Sequence, residues 1–201
     1  MQDKVLVIAC GAIARELVRI RKLNQWGHID FQCLPPDLHN QPDRIAPEVQ
    51  AKIDSQANHY RKVFVGYADC GTGGALDKVL ENYEIERIPG AHCYEFFAGY
   101  DSFRELAEEE PGSFYLTDFL TRHFDRLVIK GLGIDRLPQL KSVYFNNYTR
   151  LVYLAQSDSQ ELRIMARKHA DYLGLEYKHH DCGTRPLSKL LKPCLEQVPN
   201  V

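Results

Sequence analysis

The chain has 201 residues, 44% hydrophobic and 26% charged, a composition that excludes a disordered or fibrous protein and allows a sizeable core. Its 25 basic and 27 acidic residues leave a formal charge of −2, which gives no electrostatic footprint for nucleic acid or anionic lipid. No apolar run reaches the roughly 20 residues of a membrane helix, and the N-terminus lacks the length and cleavage site of a signal peptide, so the expectation is a soluble, cytoplasmic protein that makes no membrane contact.

Strand and helix patterns alternate along the chain. Lys4–Ala9 is a short apolar run, broken by Cys10-Gly11, and Ala12–Gln25 carries Ile13, Leu17, Ile20 and Leu23 at helical spacing. Ile29–Leu34 reads as a second strand, closed by Pro35-Pro36. Pro42–Tyr60 reads as a helix with Pro47 in its first turn. Lys62–Tyr67 is a strand, Ala68–Gly74 a loop of small residues, Ala75–Tyr83 a helix, and Ile85–Ile88 a strand stopped by Pro89-Gly90. His92–Glu109 is helical with a break at Gly99, and Ser113–Leu116 is a short strand. Phe119–Ile129 and Leu137–Thr149 are helical, and this stretch reads as an insertion. Arg150–Ala155, Ser159–Leu173 and Leu175–His180 restore strand, helix and strand before a final helix over Pro186–Leu191. This alternation predicts one α/β domain over residues 1–201, a three-layer sandwich around a mostly parallel, Rossmann-like sheet.

Of the six cysteines, three are followed by glycine at a predicted strand end: Cys10-Gly11, Cys70-Gly71 and Cys182-Gly183. In parallel α/β sheets, ligands bind beyond the carboxyl ends of the strands, so residues distant in sequence can meet there. Cys93 follows the strand Ile85–Ile88 and the turn Pro89–Ala91 at a predicted helix start, where the dipole favours a thiolate. The expectation is a shared site holding at least two of Cys10, Cys70 and Cys93. Cys182 is a weaker member, Cys33 reads as core, and Cys194 reads as incidental.

Three readings of these thiols stay open: a metal site, a metal-free thiol site, and cysteines that only fill space. For a metal, Cys10, Cys70, Cys93 and His39 form a Cys3His set suited to zinc, although no Cys-x-x-Cys or His-Glu-x-x-His spacing supports it. For catalysis, Cys70 and Cys93 are the candidate thiols, with His92 as a base and Asp69 orienting a ligand. Gly71, Thr72, Gly73 and Gly74 open a helix after a strand, where amides can hold an anion, but they lack the lysine of a P-loop. Asp37-Leu38-His39 lacks the later glycine of corrinoid-binding motifs.

The sequence resembles the uncharacterised prokaryotic domain-of-unknown-function family numbered sixteen thirty-eight, from about Val5 to Leu191. The resemblance rests on Cys10-Gly11 with Glu16, Leu38-His39 with Pro42, Gly66–Gly74, Arg87–Cys93 and Pro111–Thr117. The family often carries an aspartate between its His and Cys, where this chain has His92 and Cys93 adjacent. The family has no settled reaction. Its members are similar to proteins encoded beside corrinoid-dependent methyltransferases. The resemblance therefore implies one-carbon metabolism, with any corrinoid supplied by a partner protein or methyltransferase. Two classes of function follow: an enzyme acting on a small-molecule methyl acceptor at a thiolate or metal centre, and a non-catalytic accessory protein that binds a ligand or metal.

Overall fold

Val5–Cys10 forms strand β1 because its apolar run can be buried on both faces, and Val5, Leu6, Val7, Ile8 and Ala9 are all fully buried. In a computed structural model that describes residues 4–196, apart from the side chains of Cys194 and Glu196, the elements continue as α1 (Ala14–Leu23), β2 (Ile29–Leu34), α2 (Ile45–Gln56), β3 (Lys62–Gly66) and α3 (Ala75–Glu81). Then come α4 (Tyr94–Ala98), α5 (Tyr100–Glu109), β4 (Ser113–Thr117), α6 (Asp118–Arg122), α7 (Leu140–Phe145), β5 (Arg150–Ala155), α8 (Gln160–Leu173), β6 (Glu176–Asp181) and α9 (Arg185–Glu196). No helix among the described residues is long and apolar enough to cross a membrane.

The class is α/β with parallel sheets flanked by helices. The strands are shared between two three-stranded parallel sheets, ordered β2-β1-β3 and β4-β5-β6. The chain divides accordingly into two compact units, residues 4–93 with 187–196, and residues 94–186. In the first, Leu6, Ile8, Val49, Ile53, Val65 and Leu76 belong to one core. In the second, Leu116, Leu151, Tyr153, Leu162 and Ala166 belong to another.

The predicted strand Ile85–Ile88 reduces to a single bridge, Val65 to Arg87, made by Val65 N to Glu86 O (2.9 Å) and Ile88 N to Val65 O (3.0 Å). Pro89 has no amide to extend the ladder, which stops there. The helix predicted over His92–Glu109 is interrupted at Gly99, whose φ of +83° divides α4 from α5. The helical stretch between β4 and β5 contains α6, a π-helical turn over Asp125–Lys130, and α7.

In the second unit, Asp118 ties the carboxyl ends of β4 and β5 together. This carboxylate is 3% exposed and accepts from the Tyr153 hydroxyl at 2.7 Å, the Gln156 amide at 3.0 Å and the Ser157 hydroxyl. The Asp118 amide in turn donates to Gln156 Oε1 at 2.7 Å. A buried charge is tolerated where it is hydrogen-bonded in this way.

Candidate functional site

Three loops at the carboxyl ends of the first sheet bring cysteines together. Cys10 ends β1, and its sulfur accepts from the Ala12 amide at 3.4 Å, capping the tight turn Gly11–Ile13. Gly11 is required at this crossing: a Cβ there would lie 3.0 Å from the Leu34 carbonyl oxygen and 3.1 Å from Pro36 Cδ.

Cys70 lies in the loop after β3. Its φ of +50° is left-handed, a conformation that costs a side-chain-bearing residue on the order of 1 kcal/mol. Gly71 continues the same hand at +84°. The loop is held on both sides. Asp69 N donates to Gly90 O at 3.1 Å and Cys70 N to Ala91 O at 2.9 Å, which sets the Cys70 loop alongside the segment leading to Cys93. The Asp69 carboxylate turns back into its own loop, accepting from the Thr72 hydroxyl (2.7 Å) and the amides of Gly73 (3.1 Å) and Gly74 (2.8 Å). These bonds, that of Gly74 foremost, hold the Asp69 carboxyl below its ordinary range. The Gly73 and Gly74 amides, expected to hold an anion, thus already hold the chain's own carboxylate.

The Cys70 and Cys93 thiols lie within interaction distance of each other, and Cys10 is close enough to both for their charges to interact. The pair is asymmetric. Cys70 is the more acidic, because the Cys93 thiol stabilises its thiolate against the opposing cost of burial, with further help from the amides of Ala68 and Cys93. Cys93 is pushed well above the ordinary thiol range, first by donating to Cys70 and then by burial. The helix-start argument pointed instead to Cys93 as the thiolate. The helix that follows it, α4, has only five residues, too short for a dipole to offset those effects. Burial raises Cys10 to about 11, opposed by the Ala12 amide.

Sequence reasoning missed two neighbours of this cluster. Tyr67 is 2% exposed, and its hydroxyl has no hydrogen-bond partner of ordinary geometry, yet it lies close enough to the Cys10 sulfur to help stabilise a thiolate there. Burial, followed by the charge of Cys10, raises the Tyr67 hydroxyl far above its ordinary range. Cys33, expected in the core, is exposed. It sits on the edge strand β2 opposite Ala9, within electrostatic reach of Cys10. The aromatic at position 67, just past a strand end and three residues before Cys70, was the available signal for Tyr67.

His39 and His92 are both exposed and interact with each other. Although the His39 ring reaches solvent, the protein packed around it, and then His92, hold it below the ordinary histidine range. Among the described residues, no group of three or more His, Cys, Asp or Glu is placed to hold a metal ion, so the set Cys10, His39, Cys70 and Cys93 is not preassembled as a metal centre. Cys182 lies in the second unit, where its thiol donates to His180 O at 3.7 Å and burial pushes it up to about 12. The Cys194 side chain lies outside the described residues. Glu16, named in the resemblance, is buried on α1.

The fold and these loops define an α/β protein with a thiol cluster at the carboxyl ends of a parallel sheet. The profile of the family described as "Protein of unknown function (DUF1638)" matches residues 33–191, and the chain belongs to that family. The match includes His39, Cys70 and Cys93 and leaves Cys10 outside it. No curated protein and no solved structure gives a significant match.

Proposed function

We propose that the protein is a thiolate-centred member of a corrinoid-linked one-carbon system, acting on methyl groups that a partner corrinoid protein carries. The observation that supports this reading is the asymmetric pair, with Cys70 the acidic thiol and Cys93 its donor. In this reading the Cys70 thiolate takes the proton of a small-molecule thiol. The substrate thiolate would then accept the methyl group, which the corrinoid of the partner protein would supply while keeping the electron pair of the bond that breaks. Cys70 then returns its proton to water. Asp69 holds the loop that carries Cys70, and His92 stands at the exposed rim.

A second reading, an accessory protein that carries a soft ion such as zinc, is favoured by the nearness of three sulfurs, whose thiolate forms a divalent cation would stabilise. It requires side chains to move, because the ligands are not preassembled.

The deciding experiment mixes purified protein, a methylated corrinoid protein and a small thiol, and follows the methyl–cobalt absorbance. The expected result is acceleration that Cys70→Ser abolishes. No acceleration, with no binding to the corrinoid protein, overturns the methyl-transfer reading. Metal analysis of protein purified without chelator decides the second reading: stoichiometric metal, lost in the triple Cys→Ser variant, supports it, and no metal overturns it.

A further inference from the structure

The second unit holds a cavity of about 460 Å³ between α8 and the edge strand β6, a size that suits a small metabolite. Gln160, Arg163, Arg167 and Lys168 reach it from α8, at positions i, i+3, i+7 and i+8 of the helix. The alternation of β6 brings Tyr177 and His179 to the same side. Leu162, Ala166 and Ala170 turn to the core instead.

Three of these lining residues carry a buried polar atom with no hydrogen-bond partner: Arg163 Nε, the Tyr177 hydroxyl and His179 Nε2. His179 Nε2 is 3.4 Å from an Asp181 carboxylate oxygen but not in hydrogen-bond alignment with it. Three basic side chains, Arg163, Arg167 and Lys168, line the cavity. The terminal nitrogen of Arg163 is engaged by the exposed Asp158 at 2.7 Å and Asp181 at 3.6 Å, whereas among the described residues no ion pair neutralises Arg167 or Lys168. Arg167 stacks on the Tyr177 ring, 4.6 Å from its centroid, which fixes its planar donors at the cavity wall. Asp171 also lines the cavity, a third carboxylate beside Asp158 and Asp181.

We propose that this cavity binds a small phosphate monoester, with its phosphoryl group received by Arg163, Arg167 and Lys168 and its polar remainder by Gln160, Tyr177 and His179. Two parallel donors from guanidinium match phosphate oxygens.

Calorimetric titration of the intact protein with ribose 5-phosphate and, separately, with inorganic phosphate tests this. Ribose 5-phosphate is expected to bind at micromolar to millimolar concentration, more tightly than inorganic phosphate, and more weakly as salt rises. Equal affinity for the two probes would restrict the site to a free anion and overturn the monoester assignment. Arg167→Ala and Lys168→Ala alter exposed side chains and leave the core intact, and each is expected to weaken binding by about 10-fold. Tyr177→Phe keeps the ring under Arg167 and is expected to weaken binding several-fold. No heat with either probe at millimolar concentration, or unchanged affinity in the Arg167→Ala, Lys168→Ala double variant, overturns the proposal. Cys70→Ser leaves this binding unchanged, so the site stands or falls apart from the thiol chemistry.

Discussion

Arg87 grips both carboxylate oxygens of Asp77, at 2.5 and 2.9 Å, while the same guanidinium donates to the carbonyls of Ile88 at 2.8 Å and Gly90 at 3.4 Å. One side chain thus fastens the segment leading to Cys93 onto α3, next to the loop that carries Cys70. The pair holds the Asp77 carboxyl below its ordinary range and raises Arg87.

Arg87→Met should therefore loosen Cys93 from Cys70. A stability loss of about 1–2 kcal/mol is expected, the scale of a partly exposed charged hydrogen-bond pair. The Cys70 thiol should also move back toward its ordinary range. Urea unfolding gives the first quantity, and the pH profile of iodoacetamide alkylation gives the second. An unchanged profile would detach Arg87 from the thiol pair.

Cys93→Ala removes the donor that favours the Cys70 thiolate, so Cys70 should become less acidic and its alkylation at neutral pH slower. Cys70→Ala should lower Cys93, which then no longer donates to a neighbouring sulfur. If Cys93→Ala instead speeds alkylation at Cys70, the assignment of donor and acceptor is reversed.

Alkaline pH should destabilise the metal-free protein. Folded Cys10 keeps its proton up to about 11, whereas the unfolded chain releases it near 9.0. In that window the folded state binds more protons, so stability falls as pH rises, on the order of 2 kcal/mol for this thiol. Cys93 and Tyr67 are raised as well and act in the same direction. Chemical denaturation of chelator-treated protein between pH 8 and 11 should show the decline, and Cys10→Ala should make it shallower.

Asp118→Ala leaves the Tyr153 hydroxyl and the Gln156 amide buried without their acceptor. A loss of about 2–4 kcal/mol is expected, with Asp118→Asn milder because it keeps one acceptor oxygen. Thermal unfolding measures both. Wild-type stability in Asp118→Ala would mean that the carboxylate does not join the two strand ends energetically.

The fold class was legible because β1, β3 and β5 are apolar runs buried on both faces, separated by amphipathic stretches such as Ser159–Leu173. The division into two sheets was not. Ile85–Ile88 makes only one bridge to β3, and a proline after a short apolar run reads the same whether or not a strand extends. The Cys-Gly pattern located the thiol loops, and Cys182, read there as the weaker member, lies in the other unit. It also could not rank the thiols. Acidity there depends on which sulfur donates to which, a property of side-chain geometry that spacing does not encode. Cys33 misled for a related reason: its strand is an edge, and sheet order is not written in the strand's own residues.

The second unit occupies one continuous stretch, whereas the first is assembled from two, with the chain returning at Leu187 to supply the fully buried Leu187, Leu191 and Leu195 of α9. During synthesis the order of completion is thereby inverted. The contacts of residues 94–186 become available as that stretch leaves the ribosome, while the unit translated first must wait for α9. Cys10, Cys70 and Cys93 are consequently synthesised well before the helix that completes their own unit.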